Sequence, residues 1–242
     1  MNFEERVHKY EYKLNETDDQ IVDYIIKNKQ QFVATTIQSL AASLYTVPNT
    51  ITRLSRKLGY DGFSHLKNSI RDELQSSIII IEDSSFFFIQ KTFELLDMDR
   101  IETIAKILLN AKNILFYGVG DTALFCEMMV RNLRLTGKHS EFLVHRHENL
   151  HMINQMNEQD VVFLISLSGE TPQVLEIAEK AKEKEIQIVS LTHFSRNSLQ
   201  KLAAFNLYCY APKRIKNSYN ITDRTPVMVA LQTLSQYLWD NS

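Results

Sequence analysis

The sequence has few cysteines, no long hydrophobic run and no large excess of charge of either sign. Only two cysteines occur among 242 residues, Cys126 and Cys209. They stand far apart inside apolar patterns, which predicts reduced core thiols of a cytoplasmic protein and excludes a disulfide framework. The longest apolar runs reach only about four to seven residues, well short of the ~20 that a membrane helix requires.

The balance of charges directs attention to local patterns. Lysine and arginine number 27 against 29 acidic residues, for a formal net charge of −2. The chain as a whole therefore lacks the basic excess of a general nucleic-acid binder. Its polar, acidic N-terminus leads us to expect no signal peptide. There is no internal repeat or low-complexity tract, and the length suits one large domain or two modest ones.

The first 76 residues show helical periodicity. The segment Thr17-Asp18-Asp19-Gln20 fits a capping box, and Thr36 can cap a following helix. After a short turn, Pro48 suits the first position of the next helix, and Gly59 suits a left-handed cap at its end. Two short helices joined by such a turn form a helix-turn-helix. The sequence therefore predicts an all-helical helix-turn-helix domain over residues 1–76.

The second helix of this pair is the predicted DNA-reading element. Residues 49–71 hold five basic side chains against one acidic side chain, whereas residues 1–76 hold ten of each sign. Asn and Arg can bond to base edges, and Thr and Lys can bond to phosphates. A solvated polar face on a small helical bundle is the alternative, and Val47 is a poor residue for the cap position. The candidate DNA-binding residues are Pro48, Asn49, Thr50, Thr52, Arg53, Arg56 and Lys57.

The composition changes between residues 77 and 97. Small polar blocks alternate there with strongly apolar ones, including Phe86-Phe87-Phe88. As a free linker this segment would expose an aggregation-prone apolar surface. We therefore expect a connector that packs on another surface, such as that of a partner subunit.

The remaining residues, 98–242, show apolar runs that alternate with helical patterns. This alternation predicts an α/β fold in which a parallel sheet carries helices on both faces, as three αβα layers. The predicted strands are 114–119, 142–144, 161–165, 186–191 and 205–210. The predicted helices are 121–136, 172–184, 197–203 and a closing helix at 223–239.

Two turns at the ends of predicted strands combine glycines with hydroxyls. They are Gly118-Val119-Gly120-Asp121-Thr122 and Ser166-Leu167-Ser168-Gly169-Glu170-Thr171. Backbone N–H groups at a helix start attract an anion, and open α/β sheets bind ligands at the carboxyl ends of their strands. Ordinary helix capping, including a cap at Thr122, is the alternative. A third turn, 192–198, adds further polar donors. The candidate ligand-binding residues are Gly118, Gly120, Thr122, Ser166, Ser168, Gly169, Glu170 and Thr171.

These motifs resemble a known family. Gly118-x-Gly120-x-Thr122 followed by Ser166-x-Ser168-Gly169-Glu170-Thr171 is similar to a sugar isomerase (SIS) domain. The segment from Ile37 through Arg53-x-x-Arg56-Lys57-Leu58-Gly59-Tyr60-x-Gly62-Phe63 resembles the helix-turn-helix of RpiR/MurR-type regulators, and the order of the two domains also matches. Two positions depart from the family pattern, Glu185 where Gly is usual and Ala204 where Asp is common.

The resemblance implies a bacterial transcriptional regulator of carbohydrate metabolism genes. Its SIS domain would bind a phosphorylated sugar, and its helix-turn-helix would bind a double-stranded DNA operator. Ser166, Ser168 and Thr171 would hold the phosphate, with Gly169 permitting the tight turn. Such regulators act as homo-oligomers, here a homodimer or homotetramer.

A phosphosugar isomerase is the competing interpretation, because SIS domains also occur in such enzymes. An isomerase needs a general base. His147 and His151 could also share a helix face and suit a metal, although a polar loop and helix start is the simpler interpretation. The attached DNA reader favours sensing, so we expect no catalytic residue, no metal and no cofactor; an interaction module with an inactive pocket is a third possibility. The candidate bases are Glu127, His145, His147, Glu148, His151 and Glu170.

Overall fold

The computed structural model describes residues 1–75 and 84–242. The chain divides into two compact units, Met1–Ile80 and Ile81–Ser242. The first part of the predicted connector, residues 77–83, lies outside the described residues. Among the described helices, none combines the length and apolar character needed to cross a bilayer.

The first unit is all-helical, as predicted. Its core contains large side chains with no solvent exposure, among them Phe3, Phe32, Leu40, Ile51 and Leu54. A short 3-10 turn at Glu11–Lys13 follows the first helix. The helices are α1 (Phe3–Lys9), α2 (Glu16–Lys27), α3 (Lys29–Ala34), α4 (Ile37–Ser43), α5 (Pro48–Lys57) and α6 (Phe63–Gln75).

Side-chain caps decide where these helices begin. Thr36 caps α4 as predicted, since its side chain accepts a bond from the N–H of Ser39. The predicted capping box at Thr17 is wrong, because α2 is capped two residues earlier by Asn15. The Asn15 side chain accepts from the Asp18 N–H, and the Asp18 carboxylate accepts from the Asn15 N–H at 3.1 Å. This reciprocal pair satisfies two amides that the first turn leaves free.

The second unit is an α/β domain with a five-stranded parallel sheet, as predicted. The strands lie in the order β2-β1-β3-β4-β5. They are β1 (Ile114–Gly118), β2 (Ser140–Phe142), β3 (Val161–Ile165), β4 (Gln187–His193) and β5 (Phe205–Cys209), with a small hairpin β6 (Ile215–Lys216) and β7 (Tyr219–Asn220). The helices are α7 (Ser85–Leu95), α8 (Met98–Asn110), α9 (Ala123–Arg134), α10 (Arg146–Gln155), α11 (Pro172–Glu183), α12 (Ser198–Leu202) and α13 (Thr225–Asp240).

Side chains on the two faces of the sheet build two separate cores. Along β3, Phe163 points into a core shared with α8, α9 and α13, whereas Val162 and Leu164 point into a core shared with α10, α11 and α12. Successive strand residues face opposite sides, so a strand buried on both faces reads as a continuous apolar run. The predicted three-layer arrangement is therefore confirmed.

The second strand and the connector differ in detail from the sequence patterns. The predicted strand 142–144 lies two residues earlier, because Ile114 pairs with Ser140, and Val144 is exposed. Helix α7, from the second part of the connector, packs against α13 and β5 of the same unit. Its buried Thr92 hydroxyl accepts from the N–H of Tyr210 at 3.0 Å.

Candidate functional site

A cavity of about 400 Å³ lies at the carboxyl edge of the sheet. The turns that follow β1, β3 and β4 contribute to its wall, as does the segment between β5 and α13. The predicted turns meet here because β1, β3 and β4 are parallel neighbours. Four of the candidate ligand-binding residues line the cavity, namely Thr122, Ser166, Ser168 and Thr171.

The turn after β3 presents hydroxyls and open amides. The Ser166 and Thr171 hydroxyls lie 2.9 Å apart, and the Ser168 hydroxyl accepts from the Glu170 N–H at 3.2 Å. Within the described residues, the backbone N–H groups of Leu167, Ser168 and Thr171 donate to no protein acceptor. These groups lie in the turn that leads into α11, and the helix dipole favours an anion at this end of the helix.

The turn requires glycine at position 169, because its backbone is left-handed and the side chain of Asn197 lies close to its α-carbon. Its φ of 62° is left-handed, and an added Cβ would lie 2.1 Å from Oδ1 of Asn197. Asn197 is itself fixed, since its amide nitrogen donates to the Thr192 hydroxyl at 3.2 Å and to the Ser195 carbonyl at 2.8 Å. Glycine is required here because the next turn of the chain fills the space that a side chain would need.

Glu170 points to a different part of the surface. Its carboxylate accepts from the Ser198 N–H at 2.7 Å, at the start of α12. It lines a neighbouring cavity of about 350 Å³ together with Arg196 and Lys201. The structure therefore places the Glu170 carboxylate against α12 and away from the hydroxyls of its own turn.

The turn after β1 is held by its own hydrogen bond. The buried Thr122 hydroxyl donates to the Val119 carbonyl at 3.0 Å. Thr122 occupies the cap position of α9, but its side chain forms no capping hydrogen bond, so the predicted side-chain cap is wrong. A Cβ at Gly118 would lie 2.7 Å from the Thr122 hydroxyl, so the protein itself fills the space beside this glycine.

The part of the cavity wall formed between β5 and α13 carries basic groups that the sequence patterns did not indicate. Lys213 and Arg224 lie there, and the Arg224 guanidinium forms an ion pair with the Asp121 carboxylate. Arg224 also donates to the carbonyl of Thr222 at 2.6 Å. Residues 211–224 lack any helical or strand periodicity. The only sequence feature that could have indicated this part of the site was the cluster of basic residues after β5.

His193 completes this wall with a defined tautomer. The N–H of Ala211 donates to His193 Nδ1 at 3.1 Å. Nδ1 therefore acts as an acceptor, which is the tautomer that carries its proton on Nε2. The ring also packs edge-on against Tyr210 at 5.5 Å between centroids.

The candidate general bases lie elsewhere. Glu127 pairs with Arg131 on α9, and the rings of His145 and His147 stack 5.6 Å apart at the start of α10. His151, on α10, lies 3.0 Å from the Gln155 amide, and Glu148 belongs to the first turn of the same helix. None of these residues lines the 400 Å³ cavity. The described residues contain no group of three or more His, Cys, Asp or Glu placed to hold a metal ion.

Helix α5 has the amphipathic form expected of a recognition helix. Ile51, Leu54 and Ser55 are buried on its inner face. It starts at Pro48 without a side-chain cap, and Gly59 follows it with a left-handed φ of 77°. Both features agree with the sequence-based expectations.

The outer face of α5 divides into exposed and engaged side chains. Pro48, Asn49, Arg53 and Arg56 are exposed, whereas Thr50, Thr52 and Lys57 are half-buried. The Thr52 hydroxyl donates back to the Pro48 carbonyl at 3.1 Å. Lys57 forms a 2.5 Å ion pair with the buried carboxylate of Asp18 on α2. The ammonium of Lys57 therefore joins α5 to the helical core, and the exposed basic groups are Arg53 and Arg56.

Comparison with known proteins identifies both units. Residues 107–235 match the SIS domain, and residues 1–77 match the helix-turn-helix domain of the rpiR family. The chain is 27% identical over 244 residues to the HTH-type transcriptional regulator GlvR of Bacillus subtilis, covering 94% of this chain and 89% of that protein. It is 23% identical over 217 residues to the HTH-type transcriptional regulator RpiR of Escherichia coli, covering 83% of this chain and 73% of that protein.

A solved structure shares the fold along both units. The Vibrio vulnificus NanR protein complexed with ManNAc-6P has a TM-score of 0.57 at 24% identity, covering 94% of this chain and 86% of that chain. The order of the two matched domains is the one that the motifs predicted, and both of these relatives are HTH-type transcriptional regulators. The chain therefore belongs to the RpiR family of transcriptional regulators, in which a helix-turn-helix domain precedes a SIS domain.

Proposed function

We propose that this regulator senses a phosphorylated sugar bound in the 400 Å³ cavity. The observation that carries the proposal is the meeting of two unlike walls. One wall offers the hydroxyls of Ser166, Ser168 and Thr171 with open amides, and the other offers Lys213 and Arg224. The first wall suits a phosphate at the start of α11. The polar second wall suits the hydroxyls of a sugar, and the volume falls in the range of small-molecule sites.

The residues that we assign to the phosphate are Ser166, Ser168 and Thr171, with Gly169 shaping the turn. Related proteins support a ligand of this class, since NanR was solved with ManNAc-6P. Thr122 lies on the cavity wall and supports the first turn through its bond to Val119. Gly118 and Gly120 shape the backbone of the turn after β1. Glu170 holds α12 in place through its bond to the Ser198 N–H and does not contact the ligand in this proposal.

The DNA partner in this proposal is a double-stranded operator read by α5. Arg53 and Asn49 are exposed and can form paired hydrogen bonds with base edges, while Arg56 can contact a phosphate. Two recognition helices would read half-sites one helical turn apart, which requires at least a dimer. Operator binding also places the protein in the cytoplasm.

A surface groove in the second unit supports self-association. The groove has a volume of about 520 Å³ and is lined by side chains of α7, α8 and α13. Phe93, Met98 and Met228 are 58%, 53% and 41% exposed there. A contiguous apolar surface of this kind is typical of a subunit interface. We propose that it joins copies of this chain into a homodimer or homotetramer.

Effector control follows if the ligand binds two subunit arrangements unequally. A ligand shifts an equilibrium only through its differential affinity for the two states. We propose that the bound sugar phosphate changes the spacing of the two recognition helices, with residues 77–97 as the link. A small change of spacing alters the match to half-sites at a fixed separation.

The experiment is a ligand-response assay with Ser168→Ala. A panel of sugar phosphates is screened by thermal shift, and the best ligand is titrated into a gel shift on upstream DNA of neighbouring genes. Ser168 is exposed, so the variant should fold normally, bind DNA as before and lose about tenfold or more in ligand affinity, through a lost hydrogen bond to a charged group. Ser195→Ala, on the adjacent turn of the same cavity, is the matched control and should have a smaller effect. An unchanged ligand response in Ser168→Ala would refute the phosphate assignment.

A further inference from the structure

The turn of the helix-turn-helix unit carries two exposed apolar side chains. Tyr45 is 99% exposed and Val47 is 59% exposed. Both lie between α4 and α5, directly before the recognition helix. Isolated exposed apolar residues are common and need no explanation. These two differ because each occupies a position where the local backbone favours another residue type.

Tyr45 adopts a left-handed backbone conformation, with φ of 51°. Bulky residues are strained in this region, which Gly and Asn occupy more readily. The bonds that shape the turn are made by the main chain, since the Thr46 N–H donates to the Ala41 carbonyl at 2.9 Å. In the described part of the chain the Tyr45 side chain makes no hydrogen bond and no ring contact. Folding of this unit therefore does not account for a tyrosine at position 45.

Val47 occupies the cap position of α5 in an extended conformation, with φ of −114° and ψ of 150°. Ser, Thr, Asp or Asn at this position would accept a bond from the first turn of the helix. Valine cannot accept one, and no side chain caps α5. The exposed residues Pro48 and Asn49 continue the surface from Val47 onto the recognition helix.

We infer that the turn formed by Tyr45 and Val47 is part of the DNA-binding surface and contacts the operator beside α5. This inference rests on the proposed role of α5 and extends its surface to the residues that precede it. The phenol hydroxyl can donate to a phosphate oxygen. The valine methyl groups suit the C5-methyl of a thymine at the groove edge. Residue types that the local backbone disfavours are expected beside a binding surface, because the contacts with the partner can outweigh the loss of stability.

The test separates folding from binding, because the two should change in opposite directions. Full-length Tyr45→Gly and Val47→Ser are compared with the parent protein in thermal melts and in fluorescence titrations. The probe is a labelled duplex of about 40 base pairs, long enough for two half-sites, that the parent protein recovers from a random-sequence pool. Glycine relieves the left-handed strain and serine adds a cap, so neither variant should melt below the parent protein.

The inference expects Tyr45→Gly to weaken binding of this duplex at least about fivefold, through the loss of a hydrogen bond and ring contact. Tyr45→Phe should show part of this loss equally on all duplexes, since a phosphate contact carries no sequence information. Val47→Ser should lower the preference for thymine at one position of the selected duplex.

Arg53→Ala is the control that separates this inference from the proposed function. If Tyr45→Gly and Val47→Ser bind the duplex within about twofold of the parent while Arg53→Ala binds weakly, the turn is not part of the surface and the role of α5 stands. If Arg53→Ala also binds normally, the assignment of α5 as the recognition helix fails, and the inference about the turn fails with it.

Discussion

At the scale of single residues, Glu185 adopts a backbone conformation that its residue type disfavours, because the end of a helix requires it. Glu185 has φ of 59° at the end of α11. The Ile186 N–H donates to the Ala181 carbonyl and the Glu185 N–H donates to the Lys182 carbonyl, which together form a Schellman motif. Position 185 is one of the two at which this chain departs from the pattern of the family it resembles, where Gly is usual. The structure supplies the reason, since this position requires a left-handed residue.

We expect Glu185→Gly to stabilise the second unit by about 1 kcal/mol, through relief of left-handed strain. Glu185 is exposed, so the substitution removes no packing. The measurement is denaturant unfolding of the full chain. The matched control is Glu179→Gly on the exposed face of α11, which should destabilise by about 1 kcal/mol as an interior helix glycine. Equal effects of the two substitutions would contradict a strained residue at 185.

A second residue-scale prediction concerns Glu73 on α6. Its carboxylate accepts from the Phe3 N–H at 2.7 Å, and burial raises its pKa above the usual 4.5. The folded state therefore holds the proton more tightly than the unfolded state, so ionised Glu73 lowers stability above its raised pKa and this penalty disappears towards pH 4.5. Glu73→Gln keeps the acceptor, so it should melt higher than the parent at pH 7. That difference should shrink on acidification; a constant difference would contradict the assignment.

At the scale of elements, the ion pair between Lys57 and Asp18 couples α5 to α2. The Asp18 side chain is 4% exposed and also belongs to the capping box of α2. Removal of the lysine leaves a buried carboxylate with one bond fewer. Lys57 was predicted from the sequence as a DNA contact, and its half-buried ammonium shows a structural role that spacing along one helix cannot indicate.

Lys57→Ala should therefore destabilise the helical unit by about 1–3 kcal/mol, the usual cost of leaving a buried polar group without its partner. Arg53→Ala, on the exposed face of the same helix, should change stability by no more than about 0.5 kcal/mol. Thermal melts of both variants measure the contrast. Equal stability of the two variants would show that the Asp18 contact contributes nothing in solution.

At the scale of the whole molecule, each unit has its own hydrophobic core. The helical core draws on residues between Phe3 and Ile70, and the two cores of the α/β unit draw on residues between Ile101 and Leu238. A domain with its own core can fold alone. In the proposed function, effector binding and DNA binding therefore belong to units that have separate hydrophobic cores.

A fragment of residues 84–242 should accordingly fold cooperatively and bind the same sugar phosphate as the full chain. Its affinity should agree within about twofold, since the cavity lies wholly in this unit. Thermal shift with the ligand from the full-length screen provides the measurement. A fragment that folds without binding the ligand would show that the first unit contributes to the site.

The sequence by itself determined the family and most of the elements, although helices α7 and α8 were not predicted. Helices and strands bury side chains at periods of 3.6 and 2 residues, and turn motifs depend on local backbone chemistry. Both can therefore be recognised in the sequence. The helical domain, the parallel sheet, the hydroxyl turn at 166–171 and the amphipathic α5 were all predicted on that basis. Hairpin β6–β7 was not predicted, and the strand at 140–142 was placed two residues too late, because short elements carry too few residues for a clear pattern.

The tertiary structure alone decided which polar groups meet. Arg224 and Lys213 line the same cavity as Ser168 although they lie far along the chain, and Glu170 turns to α12 although it belongs to the predicted motif. Likewise Lys57 pairs with Asp18, which stands 39 residues before it. Ion pairs and cavity walls depend on contacts between distant segments, whereas sequence patterns report only on neighbours along the chain. For that reason the sequence predicted an anion site, and only the fold supplied the second wall.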